Sequence, residues 1–316
     1  MAELRRLGAS DLRIAPLVLG GNVFGWTADR DASFAVLDAF VDSGGTMIDT
    51  ADVYSAWVGG HTGGESETMI GAWLRTSGAR DGVLIATKVG MLPGEGGEKL
   101  APARIVAACE ASLKRLGTDR IDLYFAHQDD DAQAQEDVAE AFATLVRDGK
   151  VRVLGASNFH AARLKSAIEV ARAAGLPHYQ VLQPEYNLVS RHKFEGELQD
   201  YCVAENIGVV PYYGLAAGFL TGKYRSRDDL SQSVRGGQMG ELLDGKGSAV
   251  LAAMDEVAAD TGATLAQIAL AWLMAQPGVT APIASATSVA QLRDLVGAMT
   301  LTLGADQLER LTVAGA

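Results

Sequence analysis

The chain has little cysteine, no surplus of positive charge and no long hydrophobic run, and each shortage removes a class of protein. Two cysteines in 316 residues, Cys109 and Cys202, cannot build a disulfide framework. Both fall inside apolar helical patterns, so they read as core thiols of a reduced compartment. A formal net charge of −12 argues against nucleic acid or an anionic membrane as a general partner, although a local basic pocket for one small anion is compatible with it. No stretch of about 18 uninterrupted apolar residues occurs, and the opening MAELRRLGAS lacks a secretory apolar core. The expectation is a soluble, cytoplasmic protein. The five histidines include no HExxH and no paired cysteine spacing, so no metal site is expected. GxGxxG after a strand and GxxxxGK[ST] are missing as well, so a nucleotide would have to bind by another route.

What is present is a chain that is 48% hydrophobic and long enough for one large domain or two ordinary ones. Residues 5–17 read as a hairpin turning at Ala9-Ser10-Asp11. After it, short apolar runs alternate with longer amphipathic ones. The strand candidates are 17–20, 46–49, 83–87, 121–126, 151–155, 180–183, 207–211 and 280–284. Helical patterns lie near 32–43, 65–75, 102–116, 134–148, 160–174, 194–205, 249–275 and 288–296, with an extra helix at 304–313. The 249–275 pattern should break near Gly262, with Thr264 capping the second piece. Eight strand–helix repeats fit a (β/α)8 barrel with an N-terminal β-hairpin and extra helices, and 1–316 reads as a single domain. A doubly wound open sheet is the alternative. Residues 218–246, rich in glycine, serine and charge, are too long for an ordinary connection and should be a functional or mobile loop.

In such a barrel, function gathers where the strands end. The second strand ends in Asp49 and leads into Tyr54. The third ends in Lys88, the fourth in His127, the fifth in Ser157-Asn158, the sixth in Gln183 and the seventh in Tyr212. Taken singly, each has an ordinary explanation: an aspartate caps a helix, a lysine is a solvated charge, a histidine packs in the core. Together, on adjacent strands, they come within reach of one another. A tyrosine with an ordinary pKa near 10 is a poor acid at neutral pH, but an ammonium beside it stabilises the phenolate. Lys88 could supply that charge, Asp49 could hold Lys88, and a neutral His127 could orient a carbonyl oxygen that takes a proton from Tyr54. The set has no electron source, so a reduction would need a hydride-carrying cofactor.

The segments LVLGGNVFGW, IDTADVYS, GESETMIGAWL, ATKVG, DLYFAH, GASNFH, QPEYNLV, GFLTGKY and PIASATSVAQLRDL occur in this order and spacing. By them the chain resembles the aldo-keto reductases, particularly bacterial ones, over essentially its whole length. The resemblance implies a barrel that binds an extended nicotinamide dinucleotide, reduces aldehyde or ketone carbonyls of small molecules, and uses Asp49, Tyr54, Lys88 and His127 as its catalytic four. By the same motifs Ser157, Asn158 and Gln183 would hold the carboxamide, and Tyr212 would stack on the nicotinamide. Leu215, Gly218 and Lys223 would lie over the pyrophosphate, and Ser285, Thr287 and Gln291 near the adenosine 2′-phosphate. Gly21 stands where many members have threonine, and Leu295 where an asparagine often meets adenine. NADPH is the expected cofactor, with NADH as the alternative. Trp26 and Trp57 would line the substrate pocket, which should be open because no long C-terminal loop follows Leu311. His61 should face solvent, and Glu65 and Glu67 should begin a helix rather than catalyse. Two rival readings remain: a cofactor-binding regulatory or sensor protein with little turnover, and a barrel hydrolase or isomerase without dinucleotide.

Overall fold

The computed structural model describes residues 2–232 and 239–316; the stretch 233–238 of the expected long loop lies outside the described residues. A short hairpin of β1 (Arg5–Arg6) and β2 (Arg13–Ile14) comes first. The parallel strands are β3 (Val18–Gly20), β4 (Met47–Asp49), β5 (Leu84–Val89), β6 (Ile121–Ala126), β7 (Val151–Ser157), β8 (Tyr179–Gln183), β9 (Gly208–Val209) and β10 (Ile283–Ala284). They pair in the order β10-β3-β4-β5-β6-β7-β8-β9. The ends are joined by Ile283 N–H to Pro211 O at 2.9 Å and Thr280 N–H to Val209 O at 2.8 Å, which makes the sheet the (β/α)8 barrel. The strands expected at 207–211 and 280–284 shorten to two residues each, because Pro211 and Pro282 have no N–H to give a ladder.

The surrounding helices are α1 (Arg30–Asp42), α2 (Glu65–Ser77), α3 (Pro102–Leu116), α4 (Gln135–Arg147), α5 (Ala161–Ala173) and α6 (Glu197–Ala204). They continue as α7 (Gly240–Asp244), α8 (Lys246–Thr261), α9 (Leu265–Met274), α10 (Val289–Gly297) and α11 (Ala305–Ala314). Gly262, at φ +72°, ends α8, and Thr264 opens α9 with a reciprocal capping box to Gln267. Of the long loop, 216–221 and 227–232 coil into 3-10 turns before α7.

Alternation along the strands decides where the site can be. The barrel interior is packed by Val18, Met47, Ala86, Leu123, Phe125, Val153, Val181, Val210, Ala281 and Ile283. Two residues further along those same rows come Gly20, Asp49, Lys88, His127, Gln183, Tyr212 and Ser285; Ser157 follows Val153 by two such steps, because Gly155 leaves room for Phe125. The inward rows therefore change from apolar to polar at the C-terminal rim. At the opposite end the hairpin closes the barrel: Leu7, Leu12 and Ile14 join the interior cluster. A Cβ on Gly8 (φ +58°) would lie 2.2 Å from Gly208 N, so the turn sits directly on the barrel floor.

Leu7 is fully buried in that plug. Leu7→Ala should cost about 2–5 kcal/mol and lower the urea midpoint of unfolding, while leaving the rim chemistry in place.

Candidate active site

Lys88 is the centre of the rim. Its side chain is fully buried, and each of its three N–H donors has an acceptor: Asp49 Oδ2 at 2.8 Å, Thr50 O at 2.7 Å and Tyr54 Oη at 2.8 Å. The pairing register sets Asp49 beside Ala86, the inward neighbour of Lys88 on β5, so the ion pair spans adjacent strands. Asp49 Oδ2 also accepts from Tyr54 Oη at 3.1 Å, and its Oδ1 accepts from Gln183 Nε2 at 2.8 Å.

A second chain of bonds runs from Gln183 around the rim. Ser157 Oγ donates to Gln183 O at 2.8 Å. Asn158, held at φ +58°, donates to His127 O at 2.8 Å and to Ser157 Oγ at 3.2 Å. Its Oδ1 accepts from Tyr212 Oη at 2.8 Å. Asp49, Tyr54, Lys88, Gln183, Ser157, Asn158 and Tyr212 thus form one connected network, with His127 joined to it through its backbone.

The titrating groups differ in one respect from the sequence-based expectation. Burial, and then the Asp49 carboxylate, push the Tyr54 phenol well above its ordinary range, although the Lys88 ammonium lies 2.8 Å from its oxygen. Burial lowers the Lys88 ammonium, and Asp49 opposes that fall. Tyr54 is therefore held as the protonated phenol at neutral pH. Burial, with Lys88 nearby, holds His127 well below 6.5, so it is a neutral imidazole. Its Nδ1 is buried without a hydrogen-bond partner among the described residues.

Trp26 and Trp57 meet edge to face with centroids 5.7 Å apart, and Trp57 lies 6.2 Å from the Tyr54 ring. Trp57 is 52% exposed and Tyr213 50%, so aromatic side chains from two loops stand in water near Tyr54.

The remaining positions are spread along the same face. Gly21 packs under the rim, its N–H on Asp49 O at 2.7 Å and its carbonyl accepting from Ser66 Oγ at 2.7 Å. Leu215 and Gly218 flank Ala216 and Ala217, which adopt φ +48° and +53°, followed by Gly218 at +96°. A Cβ on Gly218 would meet Lys223 Nζ at 3.1 Å; the glycine lets an exposed ammonium lie against the loop. Ser285 Oγ donates to Asn22 Oδ1 at 2.6 Å, while Thr287 N–H and Oγ1 both donate to Gln291 Oε1, at 2.9 and 3.0 Å. A half-exposed ring anchored through its phenol at Tyr212, and a glycine cradle beside the Lys223 ammonium, fit a flat heterocycle joined to an anionic linker.

Sequence reasoning missed the charges behind the rim. Glu67 does open α2, but it is fully buried, accepting from Arg115 Nε and Thr87 Oγ1 at 2.6 Å each. His61 is half-buried rather than solvent-facing, with Nδ1 unpartnered among the described residues. Asp52 and Arg104 form a further buried pair. The available signal was an arginine two residues into a helix otherwise turned to the core, beside glycines at 94 and 96.

A family model described as the aldo/keto reductase family matches residues 16–315. The chain is 34% identical to an uncharacterized oxidoreductase, YrpG, of Bacillus subtilis, over 98% of this chain and 94% of that one. It is 30% identical to the L-glyceraldehyde 3-phosphate reductase of Escherichia coli, over 98% and 91%. It is 31% identical to a probable voltage-gated potassium channel subunit beta of rice, over 92% and 89%.

A depressed imidazole pKa means that the folded state disfavours the charged form. His127 should stay neutral from about pH 8 down to about pH 6, and its contribution to stability should be lost as pH falls below the unfolded value of about 6.5. Ring C–H chemical shifts of His127, followed by NMR across that range, should stay flat.

Proposed function

The chain belongs to the aldo/keto reductase family, an oxidoreductase family, and on that premise we propose that it reduces the carbonyl of small-molecule aldehydes or ketones to alcohols with NADPH. NADH is the alternative, since Ser285, Thr287 and Gln291 bring hydroxyls and an amide to the 2′ position without a fixed charge. We read residues 1–316 as one domain acting in the cytoplasm. The observation that carries the proposal is the saturated Lys88, with Tyr54 Oη between it and Asp49.

In this reading Tyr212 would support the nicotinamide, Ser157, Asn158 and Gln183 would hold its carboxamide, and Gly21, Leu215, Gly218 and Lys223 would hold the diphosphate. A bound nicotinamide dinucleotide would supply the hydride that the chain's own residues cannot. The residues of the chain handle the oxygen. Neutral His127 orients it by a hydrogen bond, and Trp26 and Trp57 wall the side from which it arrives. Tyr54 Oη donates its proton's hydrogen bond to Asp49 Oδ2 at 3.1 Å, a bond that a carbonyl oxygen can replace. As negative charge develops on that oxygen the proton moves to it, and the phenolate left behind is stabilised by Lys88 Nζ at 2.8 Å. Asp49 and Thr50 O keep Lys88 from following the charge, and Gln183 keeps Asp49 from turning.

Tyr54 is in its acid form at neutral pH, but the raised pKa makes it a weaker donor, so proton transfer depends on Lys88 Nζ at 2.8 Å stabilising the phenolate as it forms. The sensor reading has one observation in its favour, the similarity to the channel subunit. The complete proton-handling set favours turnover.

Tyr54→Phe removes only the oxygen between Lys88 and Asp49. It should lower kcat for an activated aromatic aldehyde by about 10²–10⁴-fold while NADPH binding, read by fluorescence, stays unchanged. Unchanged turnover would remove Tyr54 from the mechanism. Trp57→Ala should raise the KM for that aldehyde several-fold with kcat nearly constant, measured by cofactor absorbance under steady state.

A further inference from the structure

Behind Tyr54, and separate from the groups that face the carbonyl, lies a second set of buried charges. Asp52 is fully buried two residues before Tyr54, and its backbone N–H reaches Lys88 O at 3.4 Å. Among the described residues its Oδ2 has one side-chain partner, Arg104 Nη2 at 3.4 Å, and its Oδ1 has none. Arg104 comes from α3 and is 6% exposed. It spends its other donors on the loop after β5, with Nε to Leu92 O at 3.1 Å and Nη1 to Glu95 O at 3.3 Å. That loop is shaped around the guanidinium: a Cβ on Gly94 would lie 2.6 Å from Nη1, and one on Gly96 2.5 Å from the Ala103 backbone. The same loop lays Leu92 against Gly63, where a Cβ would meet Leu92 Cδ2 at 2.9 Å. Arg104 therefore ties residues 92–97 to the loop that carries Tyr54 and Trp57.

The other charged groups facing Asp52 are Glu67 from α2, Arg115 from α3 and Lys88 from β5, with the Tyr124 phenol on β6. Glu67 is saturated by Arg115 and Thr87, so of the two carboxylates Asp52 is the poorly held one. Burial pushes it up to about 7, Glu67 adds to the rise, and Arg104 and Arg115 oppose it. Protonation removes the charge assistance from a contact that is already long.

We propose that Asp52 and Arg104 are a positioning pair: ionised Asp52 holds residues 92–97, through Arg104, against the loop carrying Tyr54 and Trp57, and neutral Asp52 releases them. Neither residue touches substrate. The pair acts on the shape of the mouth, so it belongs to substrate capture rather than to proton transfer.

Two measurements test it, and only the second rests on the reductase reading. Hydrogen exchange of the non-proline amides of residues 92–97 is followed in the full chain alone, corrected for the intrinsic pH dependence of exchange. Protection should be up to about tenfold greater at about pH 8 than at about pH 6, following the ionised fraction of Asp52. Asp52→Asn, which keeps the volume, should show the low value at both. Equal protection of the unmodified chain at the two pH values, or a pH step that survives in Asp52→Asn, overturns the proposal. Should Asp52→Asn not fold, Arg104→Lys serves in its place, keeping the charge while losing the bridge, and should also be low at both. In the kinetic arm the aldehyde KM should rise several-fold from about pH 8 to about pH 6 with kcat little changed, and should be flat in Asp52→Asn. A loss equal at all pH values marks a merely structural role and overturns the proposal. Absence of any turnover counts against the reductase reading and leaves the exchange arm to decide the clamp.

Discussion

A lysine ammonium with no access to water is the constraint around which the rim is arranged. Lys88 is desolvated at the end of a barrel strand, and a buried cation is tolerable only when paired and fully hydrogen-bonded. Asp49 supplies the counter-charge, Thr50 the neutral acceptor and Tyr54 the third. Removing one partner of such a pair typically costs about 3–5 kcal/mol, because the survivor stays buried and unpaired. The geometry that keeps Lys88 satisfied is also the geometry that places a phenol next to a fixed positive charge. Stability and chemistry are here the same three contacts.

The barrel explains why those contacts recur at every strand. Side chains alternate in and out, and the inward rows hold aliphatic and aromatic residues through most of the barrel's depth. Only at the last inward position do they turn polar. There Ser157 bonds Gln183 on the next strand, Tyr212 reaches Asn158 two strands away, and Gln183 reaches across the barrel mouth from β8 to Asp49 on β4, which is how Asp49, Gln183, Ser157, Asn158 and Tyr212 become one network. The hairpin plug at the opposite end excludes water from the rows beneath. A closed floor lets the rim operate at low dielectric, where the Lys88 charge is felt most strongly by its neighbours.

The outward-facing side of the same strands carries its own polar layer. Thr87 follows Ala86 and precedes Lys88, so it points away from the barrel axis, and Glu67 and Arg115 meet it there. Asp52 and Arg104 complete this layer and connect two catalytic-face loops. These loops are thus fastened by charge as well as by the packing of Leu92 on Gly63, and charge is what pH can alter.

Much of the rim was legible in the sequence because its logic is local. Strand ends at Asp49, Lys88, His127, Ser157 and Gln183 can be found by reading where apolar runs stop, and the capping residue Thr264 and the break at Gly262 follow from propensity alone. The last two strands were read too long, 207–211 and 280–284, although Pro211 and Pro282 offered the signal that cuts them to Gly208–Val209 and Ile283–Ala284. The direction in which the Tyr54 phenol shifts was not legible. It depends on the carboxylate lying 3.1 Å from the phenol and on how much water the surrounding loops exclude, and both are products of chain closure. The Arg104 clamp was hidden for the same reason, since an arginine near the start of a helix looks solvated until the loop around residues 94–96 wraps it. Residue type and period determine which groups reach the rim. Only the three-dimensional packing decides their charge states, because desolvation and the distance between charges are set by segments far apart in the chain.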